Sequence, residues 1–189
     1  MKLSINLNKI ALIRNSRGND NPSLIDYAKK CIDLGVDGIT LHPRPDHRHA
    51  TSVDAISISK ICKDHNIEFN LEGNPFSLPH GDFVGFQELC TQSLPSQVTL
   101  VPDDLLQITS DHGWQPGYRD EALKDFINSL KEYPLRTSLF IDANINSVEY
   151  AAQIGFDRIE IYTGQLRLHP PFHILLKEED YLNSNHVLH

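Results

Sequence analysis

Apolar residues recur along this chain in two alternating rhythms. In short stretches every second position is apolar, the period of a half-buried strand. Between them, apolar residues return every three or four positions, the period of an amphipathic helix. "LSINL" (3–7) alternates as a first strand should. "NPSLIDYAKKCIDLG" follows with Asn21 as N-cap, Pro22 as first helical residue and Leu24, Ala28, Cys31 and Ile32 on one face. Gly35 then stops the helix. "DGITLH" is the second strand, and its helix opens at Thr51, where Thr51 and Asp54 have capping-box spacing. "IEFNLEG" (67–73) is the third strand, with a looser helix over roughly 81–91, and "QVTLV" (97–101) is the fourth. A long loop, "PDDLLQITSDHGWQPGYRD", leads to a helix marked by Leu123, Phe126, Ile127 and Leu130. "TSLFIDA" is the fifth strand, a helix around Val148, Ala151 and Ala152 ends near Gly155, and "RIEIYTG" is the sixth strand.

Strict alternation of strand and helix implies right-handed crossovers and a parallel sheet. An open doubly wound sheet and a (β/α)8 barrel share the pattern. No Gly-x-Gly-x-x-Gly follows the first strand, so the main mark of a dinucleotide-binding sheet is missing. Polar residues gather instead at the carboxyl ends of nearly every strand: Asn6 and Asn8, His42 and Arg44, Glu72, Asp142, Glu160 and Thr163. Chemistry spread over many strand ends is the barrel arrangement. The expected fold is an α/β TIM-type (β/α)8 barrel, incomplete, with about six strand units.

The beat stops after Gly164. All ten glycines lie at or before it, and "QLRLHPPFHILLKEEDYLNSNHVLH" has neither alternation nor a sustained helical period. The expected organisation is a partial barrel domain over 1–164 and a non-matching tail over 165–189. A shifted or interrupted reading frame near residue 164 accounts for such a break better than an idiosyncratic tail does.

Composition narrows the field. A chain of 189 residues suits one well-buried domain. A formal charge of −8 argues against general binding to nucleic acid or to an anionic membrane. No apolar run approaches the roughly 18 residues that span a bilayer, and the N-terminus does not read as a signal peptide. Cys31, Cys62 and Cys90 form no Cys-x-x-Cys pair, which fits buried thiols in a reducing cytoplasm.

One stretch is chemically dense. "ITLHPRPDHRH" (39–49) runs from an apolar strand end into His42, Arg44, His47, Arg48 and His49. Histidine titrates near neutrality and suits proton transfer, while arginine offers a fixed charged fork for phosphate. A metal site built from His42, His47 and His49 is the weaker reading, because no thiolate or firm carboxylate set joins them.

Six segments, "NKIALIRNSRG", "DGITLHPRPDHRH", "FNLEG", "LVPDDLLQITSDHGW", "SLFIDA" and "IEIYTG", fall in order on successive strand ends. Together they resemble the pyridoxine 5′-phosphate synthase family, the barrel enzymes that make the vitamin B6 ring. The resemblance covers roughly residues 2–164. It implies condensation of 1-deoxy-D-xylulose 5-phosphate with 3-amino-2-oxopropyl phosphate, releasing inorganic phosphate and water, with no metal and no organic cofactor. It also implies a cytoplasmic homo-oligomer whose partners are small phosphorylated substrates. Carried over by motif, His42 and Glu72 transfer protons. Arg44, His49 and Thr109 contact the deoxyxylulose phosphate, and Asn6 and Arg17 the amino-ketone phosphate. Asn8 and Lys9 stand where many members show Asp-His, at the sugar-phosphate end.

In the family a histidine after the seventh strand donates a proton, and glycine-rich turns after strands seven and eight hold a phosphate. Nothing in 165–189 supplies these, so the chain as given is expected to turn over little or no substrate. A non-catalytic remnant of the barrel is one alternative. Another phosphosugar barrel enzyme, an aldolase or epimerase, is a second, although no strand-end lysine suits Schiff-base chemistry.

Overall fold

Among the described residues six strands lie side by side in the order in which the chain makes them. They are β1 (Ser4–Asn6), β2 (Gly38–Leu41), β3 (Glu68–Gly73), β4 (Gln97–Leu100), β5 (Arg136–Asp142) and β6 (Arg158–Tyr162). Every neighbouring pair is parallel. The structure is a computed structural model and describes residues 1–103, 107 and 109–164. The tail expected over 165–189 lies outside the described residues.

Sequential order without a switch point excludes the open doubly wound alternative, in which strand order reverses at the centre. The sheet also curls, since Ser4 and Asn6 of β1 line one cavity together with Arg158 and Glu160 of β6. Among the described residues this is six units of a barrel, as the sequence pattern implies.

Among the described residues six helices pack on the convex side: α1 (Asn8–Ser16), α2 (Leu24–Asp33), α3 (Ser52–Asp64), α4 (Phe86–Ser93), α5 (Asp120–Leu130) and α6 (Ile145–Ile154). Alternate strand residues point at them. Ile39, Leu41, Phe69, Leu71, Val98, Leu100, Leu139 and Ile141 are all buried, in one cluster with Ala28, Ala55, Ile58, Leu89 and Leu123. Each such aliphatic side chain contributes about 1.5–3 kcal/mol of burial. The concave face is polar instead. Ser4, Thr40, Asn70 and Thr99 join across four strands, through Ser4 Oγ···Thr40 Oγ1 at 3.1 Å, Asn70 Nδ2 to Thr40 Oγ1 at 3.4 Å and Thr99 Oγ1 to Asn70 Oδ1 at 2.9 Å.

Two local expectations need correction, and one helix falls where the sequence pattern assigned no element. Residues 8–16 form α1. Its N-cap Leu7 has no capping side chain, its first turn has no acid, and Ala11 is its only buried residue, so neither capping nor amphipathy announced it. α2 is capped by Ser23, whose side chain accepts from Asp26 N–H at 3.2 Å, rather than by Asn21. α4 starts at Phe86 and not near 81, because Gly85 sits at φ 91°, outside helical space, and Phe86 is drawn fully into the core. The Thr51–Asp54 capping box is present as read, with both reciprocal bonds.

Trp114 closes the long loop after β4 from beneath. It is fully buried, donates from Nε1 to Leu100 O at 3.0 Å and meets Phe76 edge-on. The neighbouring Gly113 has no room for a side chain, since a Cβ there would lie 2.4 Å from Ile141 Cα. Asp142 accepts from Gly113 N–H at 3.0 Å and from Gln115 Nε2 at 3.2 Å, which makes it a fastener of this loop.

Candidate active site

The carboxyl ends of β1, β2 and β3 and the loop after β4 surround a cleft of about 970 Å³. Asn6, Asn8, Lys9, His42, Arg44, His49, Glu72 and Thr109 all line it. The parallel sheet explains the convergence: equal register brings consecutive strand ends to one rim, whatever their separation in sequence.

Short contacts fix the rim. Asn6 Oδ1 accepts from Asn8 N–H at 2.9 Å, and Asn8 Oδ1 accepts from His42 N–H at 2.9 Å. The start of α1 thereby pins the end of β2, a role for Asn8 that its residue type alone did not indicate. Asn15, further along α1, donates through Nδ2 to His47 O at 3.0 Å and His49 O at 2.8 Å. Arg14 grips Asp54 with two bonds of 2.7 and 2.9 Å, tying α1 to α3. The histidine-rich loop is therefore clamped along its length.

Arg17 is the exception among the expected residues. It stands at the C-cap of α1, exposed, and does not line the cleft. It lies nine residues beyond Asn8, and about 1.5 Å of rise per residue carries it some 13 Å along the helix from the rim.

Charge inside the cleft is unequally distributed. Arg44 is buried and bonded to Asp103, with a second contact from Nη2 to Gln107 O at 3.2 Å. Arg48 donates from Nη1 to the same carbonyl at 2.7 Å and pairs with Asp46 at 2.5 Å. Two guanidinium groups thus hold the loop after β4 against the loop after β2. With Lys9 they make the cleft cationic, suited to phosphate.

His42 and His49 are held toward the neutral form. Burial first, then the neighbouring His49 and the charge of Arg44, push His42 down to about 3. Burial and then Arg44 push His49 down to about 4. The two rings sit 5.7 Å apart and tilted. Glu72 goes the other way, raised well above its ordinary value by burial and then by the neighbouring charge of Glu160. Burial also raises Glu160, while a hydrogen bond from Thr99 pulls it back in part. His42 Nδ1 lies 3.8 Å from Glu72 Oε2. An imidazole held toward its neutral form thus lies beside a carboxyl whose affinity for a proton is raised, an arrangement through which a proton can pass.

Sequence reasoning missed or under-weighted several cleft groups. Asp46 and Arg48 line the cleft, although neither was among the expected site residues. Asp103 is buried at the rim, and Glu160 bears on Glu72 from β6. For Glu160 the available signal was its inward parity on the sixth strand; for Asp103 it was its place in the strand-end segment "LVPDDLLQITSDHGW", although nothing local linked it to Arg44. Among the described residues, no group of three or more His, Cys, Asp or Glu is placed to hold a metal ion.

Comparison with known proteins decides the family. A family model for pyridoxal phosphate biosynthesis protein PdxJ matches residues 3–175. The chain belongs to this family. It is 47% identical over 163 residues to pyridoxine 5′-phosphate synthase of Xanthomonas axonopodis pv. citri (strain 306), covering 86% of this chain and 64% of that protein. The corresponding protein of Xylella fastidiosa (strain M12) is 48% identical over 163 residues, covering 86% and 63%. The chain spans under two thirds of the length of these curated relatives. Among solved structures, deoxyribose phosphate aldolase from Aeropyrum pernix superposes with a TM-score of 0.52 at 13% identity, over 86% of this chain and 62% of that one. D-psicose 3-epimerase from Clostridium cellulolyticum H10 gives 0.51 at 11% identity, over 85% and 62%. These likenesses carry the barrel fold alone.

Proposed function

We propose that this chain carries the substrate-binding and proton-transfer wall of a pyridoxine 5′-phosphate synthase, a transferase that joins 1-deoxy-D-xylulose 5-phosphate to 3-amino-2-oxopropyl phosphate. The observation that carries the reading is the convergence of Asn6, Asn8, Lys9, His42, Arg44, His49, Glu72 and Thr109 on one cationic cleft. Joining an amine to a ketone, dehydrating, expelling phosphate and closing an aromatic ring is a series of proton transfers. It requires groups that take up and release protons, and the contact of His42 with Glu72, whose proton affinity is raised, supports that pair. Arg44, His49 and Thr109 bind the deoxyxylulose phosphate, with Lys9 adding charge, and Asn6 faces the amino-ketone phosphate. Arg17, outside the cleft, is left without a role in it. The same reading makes the protein a cytoplasmic homo-oligomer acting on free phosphorylated metabolites.

A second reading, a binding remnant without turnover, draws support from β1 and β6, each of which has a strand neighbour on one side only among the described residues. Calorimetric titration of the chain with each phosphate tests the first reading. Saturable binding of deoxyxylulose phosphate, weakened in Arg44→Ala, is expected; no saturable binding of either phosphate overturns it. Turnover separates the two. Little or none is expected from the chain as given, and measurable synthesis is expected from a form extended by two strand–helix units. Absence of product from the extended form, with binding intact, favours the remnant.

A further inference from the structure

Asp103 follows β4 and is 4% exposed. Its position is set from β3: Asn74 Nδ2 donates to Asp103 O at 2.8 Å, and Val101 N–H to Gly73 O at 3.0 Å. The carboxylate has two different faces. Oδ2 takes the Arg44 guanidinium. Oδ1 is buried, has no hydrogen-bond partner among the described residues, and lies 3.6 Å from His42 Nε2. The imidazole of His42 is therefore bracketed, with Asp103 at Nε2 and Glu72 at Nδ1, 3.8 Å away.

A neutral imidazole carries one proton, and the two flanking groups compete to set its place. They are not equivalent. Asp103 stands against a guanidinium that never deprotonates, so its charge is maintained. Glu72 has no Lys or Arg partner among the described residues and faces a second carboxyl, Glu160. A ring N–H is attracted to the charged acceptor and a ring lone pair to the carboxyl that can hold a proton. A separation of 3.6 Å is long for a hydrogen bond, but catalytic contacts are often loose until substrate closes the site.

We propose that Asp103 is a positioning residue: it fixes His42 as the Nε2–H tautomer and so directs the Nδ1 lone pair towards Glu72 and the substrate cleft. The proposal rests on the reading of His42 as the proton-transferring base. Asp103 acts only through His42, as the buried aspartate of a Ser-His-Asp triad acts through its histidine, where replacement by asparagine keeps the geometry but selects the wrong tautomer. Because Asp103 also holds Arg44, loss of activity alone would not separate orientation of His42 from substrate binding. The tautomer itself is the readout that does.

The test uses the 189-residue chain with ¹⁵N-labelled histidine, the imidazole of His42 being assigned by its disappearance in His42→Asn. The groups that bear on this ring are Glu72 from β3, Asp103 after β4, Arg44, Asp46, Arg48 and His49 from its own loop, Lys9 from α1 by way of His49, and Glu160 from β6 by way of Glu72. Near neutral pH the wild-type ring is expected to carry its proton on Nε2. Asp103→Asn, whose amide can donate to Nε2, is expected to move the major form to Nδ1–H. Asp103→Glu should restore Nε2–H, and Asp46→Asn should leave it unchanged. A wild-type Nδ1–H ring, or the wild-type tautomer persisting in Asp103→Asn, overturns the proposal. Should Asp103→Asn lose its cooperative melt, Asp103→Ser takes its place, and an unchanged tautomer there overturns the proposal equally. No turnover or substrate is needed, so failure here is distinct from failure of the phosphate titration.

Discussion

β3 and β6 present the same device in two settings. Each carries a glutamate on the concave face, Glu72 in "EFNLEG" and Glu160 in "RIEIY". β3 has strand neighbours on both sides; β6 has only β5 among the described residues. The first is buried along most of its length and Glu72 is 8% exposed, whereas Arg158 and Ile161 of the second lie open to solvent. Identical parity thus gives different environments, and environment sets the chemistry. Two flanking strands exclude water from Glu72 and raise its affinity for a proton. A glutamate on a half-covered strand is shifted too, but keeps Thr99 as a compensating donor.

The sharpest way to break this contrast is in the form extended by two strand–helix units. His42→Asn or Glu72→Gln is expected to lower the rate of product formation about 10²–10⁴-fold. A change below about threefold at both positions would place proton transfer elsewhere.

Core substitutions test the same contrast without chemistry. Leu71→Ala in β3 is expected to cost about 2–5 kcal/mol in denaturant unfolding, the price of a fully buried leucine. Ile161→Ala in β6, where the side chain is 48% exposed, should cost about 0.5 kcal/mol or less. Equal losses would mean that β6 is covered as well as β3 is.

Arg44→Ala should weaken sugar-phosphate binding by about 1.5–3 kcal/mol, read by calorimetry. Unchanged affinity would show that its charge is consumed by Asp103.

Acid stability offers a smaller and more local check. His42 titrates near 6.5 when unfolded and at about 3 when folded, so between these values the unfolded chain binds a proton that the native one does not. Stability therefore rises with pH across that window and falls on acidification, by up to about 1.4 kcal/mol per pH unit from this group. His49, down at about 4, works in the same direction but is weakened by solvent screening. Glu72 opposes them, because its proton is held more tightly in the folded state and stability from that group declines as pH rises above 4.5. His42→Asn should flatten the acid limb of the melting profile; an unchanged slope would mean that the ring is protonated in the native state.

By itself the sequence determined the periodicity, hence six strands and five of the six helices, and the parity that sends Ile39, Leu71 and Leu139 to the helices and Thr40, Asn70 and Glu72 to the lumen. It also carried the family, because motifs at strand ends survive as local words. α1 was not legible, because its helicity comes from docking between the ends of β1 and β2 and not from a cap or an apolar stripe. Tertiary structure alone decided the electrostatics. Arg44 and Asp103 are 59 residues apart, Asn8 and His42 34, and no local pattern links them. Burial and neighbouring charge are properties of three-dimensional proximity, and they are what hold His42 toward its neutral form, while position at the far end of α1 leaves Arg17 outside the cleft.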